Sequence, residues 1–496
     1  MNGLREPALR TGPPAGYGFL FAIGLLALLV GLFVTALPGL PVHPRWLVVS
    51  AILPLVLSGL LVASQYLDRA LLILLALSVS AEIDIHPQFQ PGHVGSPPGL
   101  PLTLTGFTAI LLWITYGLRR ERRPFPIYQA LFPFVVVASL FIIGLASATF
   151  APQPQFSFYA LFGFLLQMLM FFYLIAGLED IAHLKFLLRA LMVWMLIMST
   201  FGILQFFVPR LLLIPQLGGV PPWLLSPLPT DPRIARVVGL LGSPNNYSWY
   251  LVTFMPLVLA WPYREKRWER PVQYLTLALA TGALIATFSR GAWFALLVGL
   301  VAFLFLLGLR GLAQPRYPVN LLRRFVPLLI ASLILVVPAW NYIYSRITGD
   351  DQGAAQTRIP LIQISQNIIR DHPWLGIGLG NYIYVMDNYD DTSERVTRRF
   401  RYPVHNVYLH LASEIGLPGL FLWLSLVFYA MLIGLQVALE PEPRFAALAL
   451  GLLSGVVANL IVGLKEPGTL GVPYMVYLWF ALGVLLALRR LKLQAP

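Results

Sequence analysis

The chain has 496 residues, of which 58% are hydrophobic and 11% are charged, and it contains no cysteine. Soluble domains carry about 25% charged residues, so this composition excludes a soluble enzyme, a disordered scaffold and a disulfide-rich secreted module. A polytopic membrane protein remains. The net charge of +13 is then explained by basic residues at the inner membrane face, and nucleic acid is not an expected partner.

Apolar runs of about 20 residues, long enough to cross a bilayer, recur along the whole chain. The third run is short and could be re-entrant, so we predict an all-α polytopic fold of about 12–14 spans. The candidate spans are residues 18–37, 46–66, 70–83, 102–118, 127–148, 157–178, 186–207, 247–262, 272–288, 292–309, 325–344, 411–436, 445–464 and 471–488.

The apolar run of residues 271–309 is too long for one span, because its 39 residues would make a helix of about 58 Å. The only charged residue within it is Arg290, in Ser289-Arg290-Gly291. We therefore predict that the run folds back at a tight turn here, with the glycine supplying backbone flexibility.

The distribution of basic residues predicts that both termini are cytoplasmic. With the N-terminus inside, 21 of the 34 lysines and arginines fall on the inner side. Short outer connections contain only Arg45, Arg290 and Lys465. The remaining basic residues lie in two long outer loops, which the positive-inside rule weights weakly.

These loops divide the chain into five predicted segments. The second long loop contains an amphipathic helix, expected at the outer membrane surface, in residues 359–369. It also contains the glycine-rich residues 374–382, which lack the strand and helix of a dinucleotide site and predict a flexible loop over a cavity. The segments are an N-terminal bundle (1–207), a first long loop (208–246), helices with the Ser-Arg-Gly turn (247–344), a second long loop (345–404) and C-terminal helices (405–496).

Arginines in the outer segments are the candidate anion ligands. Arg233 and Arg236 precede a Ser-Pro-Asn-Asn turn, which includes Asn245, and a predicted helix start. Guanidinium groups and free helix N–H groups together suit an anion, although anchoring to lipid headgroups is the alternative. An arginine between two apolar spans costs free energy, so Arg290 suggests a function. The alternative is that its side chain snorkels to the membrane surface.

His405 lies at the outer mouth of a predicted span, where an imidazole can exchange protons near neutral pH. A structural, hydrogen-bonded histidine is the alternative. Glu414 is nine residues further on, which places it on the opposite helical face unless the helix breaks between them. Glu414 instead shares a face with His410, four residues away.

Acidic and histidine residues near Glu82 form a weak metal motif with Asp84, His86 and His93. The ligand set is too small for a typical zinc or magnesium site, so we expect no metal and no cofactor. The predicted topology instead brings Arg236, with or without Arg233, to the same outer face as Arg290 and His405. Fixed cations beside one potential base fit a diphosphate ligand and proton transfer.

Residues 235–430 resemble the O-antigen ligase and O-antigen polymerase superfamily of bacterial membrane glycosyltransferases. The resemblance rests on the order and spacing of several short motifs. They are Arg236-Val-Val-Gly239 through Pro244-Asn245, Ser289-Arg290-Gly291-Ala-Trp-Phe, Pro373-Trp-Leu-Gly376-Ile-Gly378-Leu-Gly380-Asn-Tyr382, His405-Asn406, and Glu414-Ile-Gly416-Leu-Pro-Gly419.

The resemblance implies metal-independent, inverting transfer of a glycan from a polyprenyl-diphosphate carrier, at the extracytoplasmic face of the bacterial inner membrane. Arg236 and Arg290, with Arg233 as a third candidate, would bind the donor diphosphate, and His405 would be the general base. Asn245, Asn406 and Glu414 would support them. The acceptor hydroxyl would belong to a lipid A core sugar, a lipid-linked repeat unit or, less favoured, a protein. The family usually has about 12 spans, so an extra N-terminal pair is unexplained.

Two other functions compete with glycan transfer. A transporter of an anion or a lipid-linked sugar should place charged or helix-breaking residues at mid-membrane in corresponding halves, and the sequence shows no such pair. A glycosyltransferase using the acidic pair Glu82 and Asp84 is less favoured, because their loop is short and rich in proline.

Overall fold

The computed structural model divides into two compact units, residues 1–70 and 71–496. The first unit is described only at residues 67–70, and the predicted spans 18–37 and 46–66 lie outside the described residues, as does 325–344 apart from its last residue. The structure describes residues 67–80, 84–118, 127–209, 211, 227–228, 231–315, 344, 358–393 and 395–493.

Helices dominate the described residues, and each predicted span within them overlaps a helix. Two short antiparallel pairs, β1 (Asp84–Ile85) with β2 (Leu102–Thr103) and β3 (Pro227–Leu228) with β4 (Asp231–Ala235), lie in the loops. The helices are α1 (Leu67–Ser78), α2 (Leu104–Leu118), α3 (Ile127–Ala148), α4 (Pro154–Ala176), α5 (Ile181–Phe207), α6 (Pro244–Ala260), α7 (Glu269–Ala286), α8 (Arg290–Ala313), α9 (Arg358–Asp371), α10 (Tyr382–Val385), α11 (Val407–Ala438), α12 (Pro443–Gly463) and α13 (Val476–Leu493).

Seven helical segments within the described residues are long and apolar enough to cross a membrane. They confirm the prediction of an all-α polytopic membrane protein. They are Tyr128–Ala148, Pro154–Ala176, Ile181–Phe207, Arg290–Ala313, Val407–Ala438, Pro443–Gly463 and Pro473–Leu493.

Small residues on α12 let its neighbours approach closely. A Cβ atom added to Gly455 would lie 2.0 Å from the carbonyl oxygen of Thr253 on α6. Ser454 Oγ donates to the Gly299 carbonyl on α8 at 2.6 Å. Asn459 Nδ2 donates to Thr253 Oγ1 at 2.9 Å. Close backbone approach and interhelical hydrogen bonds are what hold helices together where lipid removes the hydrophobic driving force.

The long apolar run folds back where predicted, but not through its glycine. Helix α7 ends at Ala286 and α8 begins at Arg290. Phe288, with φ of 50°, takes the left-handed conformation of the turn. Gly291 is already the second residue of α8, so the expected role of its backbone flexibility was wrong, and its small size matters for a different reason, given below.

The predicted amphipathic helix is present as α9, but its apolar face is covered by protein rather than by the membrane. Leu361, Ile364 and Ile368 are fully buried in a cluster that also contains Tyr382 and Val404. This second loop therefore has a hydrophobic core of its own. Residues 345–357 of the loop lie outside the described part.

The glycine-rich stretch is not the flexible cover over a cavity that we expected. Its backbone is bonded into a break in α11, where Ile415 and Gly416 leave the helical conformation. Ile377 N donates to the Ser413 carbonyl and Gly378 N to the Glu414 carbonyl, each at 3.0 Å. A Cβ atom on Gly416 would lie 2.3 Å from the Trp374 carbonyl oxygen, so the small residue permits this contact.

Candidate functional site

Arg236, which follows β4, connects the α7–α8 turn to the start of α6. Its Nε donates to the Thr287 carbonyl at 2.7 Å, and its Nη2 donates to Asn245 Oδ1 at 2.9 Å. Asn245 thus orients the guanidinium group. Arg233 lies within β4, and its side chain is outside the described part of the structure.

Lys465, between α12 and α13, meets the N-terminus of α8. Its Nζ lies 3.4 Å from Ser289 Oγ. A Cβ atom on Gly291 would lie 2.0 Å from both Cδ and Cε of this lysine. The absence of a side chain at Gly291 therefore creates the space that Lys465 occupies. Arg290, the first residue of α8, stands between these two contact residues and is half-buried.

His405 lies in the loop before α11, against an aromatic wall. Its ring is stacked on Phe400 at a centroid distance of 5.9 Å and lies 5.3 Å from Tyr402. Asn406 caps α11, since its Oδ1 accepts hydrogen bonds from Tyr408 N and Leu409 N at 3.0 Å. Asn406 therefore fixes the start of α11 next to the histidine.

The pKa of His405 lies below its ordinary value of 6.5, because burial disfavours the charged imidazolium form. The nearby Glu466 opposes this shift, whereas Arg358 adds to it. Glu466 lies in the connection after α12, and Arg358 is the first residue of α9. The imidazole is therefore neutral at neutral pH, which is the form that accepts a proton.

A cavity of about 200 Å³ joins the start of α6 to the loops around His405 and Glu466. Trp249 and Tyr474 stack on one another at 5.2 Å in its wall. Its lining residues are Ser243, Asn245, Asn246, Trp249, Tyr402, His405, Glu466, Pro467 and Tyr474. His405, the potential base, thus lines the same cavity as Asn245, and Asn245 is hydrogen-bonded to Arg236.

Positive charge accumulates beside this cavity. The pKa of Lys465 lies below its ordinary value of 10.5, because of burial and, against the opposing charge of Glu466, because of Arg358 and Arg236. Glu466 is 7% exposed, and its Oε1 lies 3.4 Å from Lys465 Nζ. Three cations and one carboxylate thus act on the same region, and a bound anion would relieve the repulsion among the cations.

Glu414 does not belong to this group. Its carboxylate is fully buried in α11, with Oε1 at 3.2 Å from Nε2 of His410. This confirms that Glu414 shares a helical face with His410 rather than with His405. The break in α11 comes after Glu414, at Ile415, so it does not redirect the carboxylate, and Glu414 supports the packing of the glycine-rich stretch instead.

The acidic and histidine residues of the weak metal motif are dispersed. Asp84 Oδ2 pairs with His86 Nε2 at 3.4 Å, whereas His93 is bonded to Tyr384 and Ser96. Glu82 lies outside the described residues. Among the residues that the structure describes, no group of three or more His, Cys, Asp or Glu side chains is placed to hold a metal ion.

Sequence reasoning missed several residues that act on the site, above all Lys465 and Glu466. Lys465 was counted only as a charge in a short outer turn. Lys465 and Glu466, like Arg290, are charges between two apolar spans, which is a signal of function in the sequence itself. Arg358, Tyr402 and Tyr474 carry no such signal, because only folding brings them to the cavity.

Residues 275–424 match the family model described as O-antigen ligase. The matched segment begins in α7, includes the Ser289–Gly291 turn, α9 and His405, and ends within α11. No curated protein matches the chain. Together with the apolar helices, the match supports transfer of glycans at a membrane as the general activity. It also supports the resemblance of this segment to the O-antigen ligase and O-antigen polymerase superfamily.

Proposed function

We propose that this protein transfers a glycan from a polyprenyl-diphosphate carrier to an acceptor hydroxyl at the extracytoplasmic face of the bacterial inner membrane. The observation that carries the proposal is the cavity that neutral His405 lines together with Glu466 and Asn245. Arg236 is hydrogen-bonded to Asn245, and Lys465 is paired with Glu466. A proton acceptor beside clustered cations suits a reaction in which a diphosphate leaves.

In the proposed reaction, His405 accepts the proton of the acceptor hydroxyl as its oxygen attacks the anomeric carbon. The bond from that carbon to the diphosphate oxygen breaks on the opposite face, so the configuration inverts. The diphosphate leaves with the electron pair. Arg236, Arg290 and Lys465 offset its negative charge, and Glu466 stabilises the imidazolium that His405 becomes.

The cavity of about 200 Å³ is smaller than the roughly 300–1,000 Å³ of typical ligand sites. It therefore suits the reacting sugar and its diphosphate rather than a whole lipid-linked glycan. The carrier lipid would stay among the apolar helices. The growing or transferred glycan would extend away from the cavity.

Reconstitution tests this proposal. Full-length protein in liposomes is supplied with a polyprenyl-diphosphate glycan and, separately, with a lipid A core acceptor or a second lipid-linked glycan. Mass spectrometry then shows whether glycan moves onto the core lipid, as in a ligase, or whether chains lengthen, as in a polymerase. Movement of the donor or an anion across the bilayer without any new glycosidic bond would instead support a transporter.

The pH profile of transfer tests the assignment of His405. Since burial places its pKa below 6.5, transfer should be constant near neutral pH and should fall as the pH drops through that lowered pKa. Glu466→Gln removes the charge that raises the pKa of His405, so the acid limb should move to still lower pH. Initial rates across a pH series measure both effects, and an acid limb that Glu466→Gln leaves in place would contradict this pairing.

Gly291→Ala should weaken donor use by displacing Lys465, because the new methyl group would overlap the lysine side chain. We expect the KM for donor to rise about tenfold, equivalent to about 1.4 kcal/mol of lost binding. Gly308→Ala on the same helix is the matched control, since nothing lies within 4 Å of its added Cβ atom. If the two variants have the same KM, Lys465 does not bind the donor.

A further inference from the structure

A second group of cations lies on the long loop outside the cavity that contains His405. Four arginines fall within seven residues, at Arg395, Arg398, Arg399 and Arg401, and all four are exposed. Clustered guanidinium groups repel one another, and they favour ligands with phosphate or carboxylate groups.

The fold holds this segment in a defined conformation. Val396 is buried in the core of the loop. The Asp390 carboxylate accepts hydrogen bonds from Thr397 N and Thr397 Oγ1, each at 2.9 Å. Arg401 Nε donates to the Ile383 carbonyl at 3.1 Å. The segment is thus anchored by Thr397 before Arg398 and by the Arg401 side chain after Arg399, and the side chains of Arg398 and Arg399 are exposed.

These arginines line a cavity of about 450 Å³, together with Asp387 and Thr397. Among the described residues that line it, Asp387 is the single carboxylate, and it is already paired with Arg401 Nη2 at 3.2 Å. An adjacent cavity of about 430 Å³ shares Arg395. Its lining is different, because it contains Asp371, Asp390 and Asp391 beside Arg370 and Arg395, so it offers no excess of positive charge.

The arginine segment is continuous with the aromatic wall of His405. Phe400, which is stacked on the imidazole, stands between Arg399 and Arg401, and Tyr402 follows directly. A glycan held by the arginines therefore lies on the same short segment that positions the proposed base. This continuity favours the acceptor, whose hydroxyl must reach His405, over the donor, whose diphosphate belongs beside Arg236 and Lys465.

We propose that the cavity lined by Arg395, Arg398, Arg399 and Arg401 binds phosphate or carboxylate groups carried by the acceptor glycan. The inference rests on the proposed glycan transfer for the identity of that ligand. It adds a specificity site: an acceptor with anionic groups would be held by the arginines, and an uncharged acceptor would not.

Binding measurements without donor test the site. Full-length protein in nanodiscs of neutral lipid is titrated with a fluorescent oligosaccharide that carries phosphomonoesters, and with the same oligosaccharide after phosphatase treatment. We expect the wild-type protein to bind the phosphorylated probe about tenfold or more tightly than the dephosphorylated one. The double variant Arg398→Gln, Arg399→Gln should lose most of this preference, and both substitutions are at exposed positions, so folding should be intact.

Arg370→Gln is the matched control, because it removes an exposed arginine from the adjacent cavity of mixed charge. It should keep the wild-type preference. With a phosphorylated acceptor in the transfer assay, the double variant should raise the acceptor KM and leave kcat and the donor KM unchanged. Equal wild-type affinity for the two probes, or an unchanged preference in the double variant, would overturn the proposal.

A third arm separates acceptor binding from binding to membrane headgroups. If the arginines bind the acceptor, nanodiscs enriched in phosphatidylglycerol should keep the preference for the phosphorylated probe. Loss of the preference there would show that lipid headgroups occupy the cavity, which overturns the proposal. Since no donor is present, these outcomes are independent of whether the protein transfers glycan. If the protein transfers glycan but binds the two probes equally, this inference is overturned while the proposed glycan transfer stands.

Discussion

His405→Ala is expected to abolish glycan transfer while the protein remains folded. General-base catalysis contributes about 10²–10⁴-fold to a rate, and alanine leaves no group to take the acceptor proton. The half-buried ring contacts Phe400 and Tyr402 rather than the helix core, so the loss of packing should be tolerated. Initial transfer rates in liposomes, with thermal unfolding of the same samples, measure the two effects.

His372→Ala provides the matched control for that loss. His372 lies in the same long loop, is exposed, and is bonded to Tyr389 at 2.7 Å, away from the cavity of His405. We expect it to retain transfer within a few-fold, as should Glu82→Ala. His405→Gln keeps a polar side chain of similar size without a base, and it should be as inactive as His405→Ala. Full transfer by either His405 variant would remove this residue as the base.

Arg290→Ala is expected to lower transfer about 10²–10³-fold, in the range found when one group that stabilises transition-state charge is removed. Arg290 starts α8 beside Ser289, the residue that Lys465 contacts. Its guanidinium group and the positive end of the α8 helix dipole would act together on the leaving diphosphate. Arg290→Lys should recover part of the rate, since it keeps the charge but not the forked donors.

The control for Arg290 is Arg267→Ala, an exposed arginine just before α7, at the end of that helix remote from the turn. It should transfer at the wild-type rate. Competition by a non-hydrolysable polyprenyl diphosphate adds a binding readout, and Arg290→Ala should weaken that competition while Arg267→Ala does not. Wild-type rates and competition in Arg290→Ala would exclude Arg290 from the donor site.

Local patterns in the sequence were sufficient to predict the positions of the described helices and of the turn at Arg290. Apolar runs set the spans, because each must satisfy its own backbone in lipid. The charge at Arg290 marked where the run of residues 271–309 folds back. The spacing of His410 and Glu414 predicted that they share a helical face, and in the structure Nε2 of His410 lies 3.2 Å from Oε1 of Glu414. These predictions succeeded because each depends on neighbours a few residues apart in one helix.

The predictions for α9 and for the glycine-rich stretch were wrong, because they depended on what packs against each segment. The apolar face of α9 is covered by the core of its own loop, and the glycine-rich stretch is bonded into the break in α11. Periodicity shows that a face is apolar, but it does not show whether protein or lipid covers it. Glycine likewise signals either a left-handed backbone or a close contact, and Gly416 shows both, with φ of 70° and the Trp374 carbonyl 2.3 Å from its added Cβ position.

The sequence by itself determined that this is a helical membrane protein, where its chain turns at Arg290 and which short motifs relate it to O-antigen ligases. The tertiary structure decided which charges meet. Lys465 fits against Gly291, and Glu466 shares a cavity with His405, although in each pair the residues are at least 60 positions apart. Local propensity does not predict contacts between such distant residues, because these contacts form only when helices pack and bring their connecting loops together.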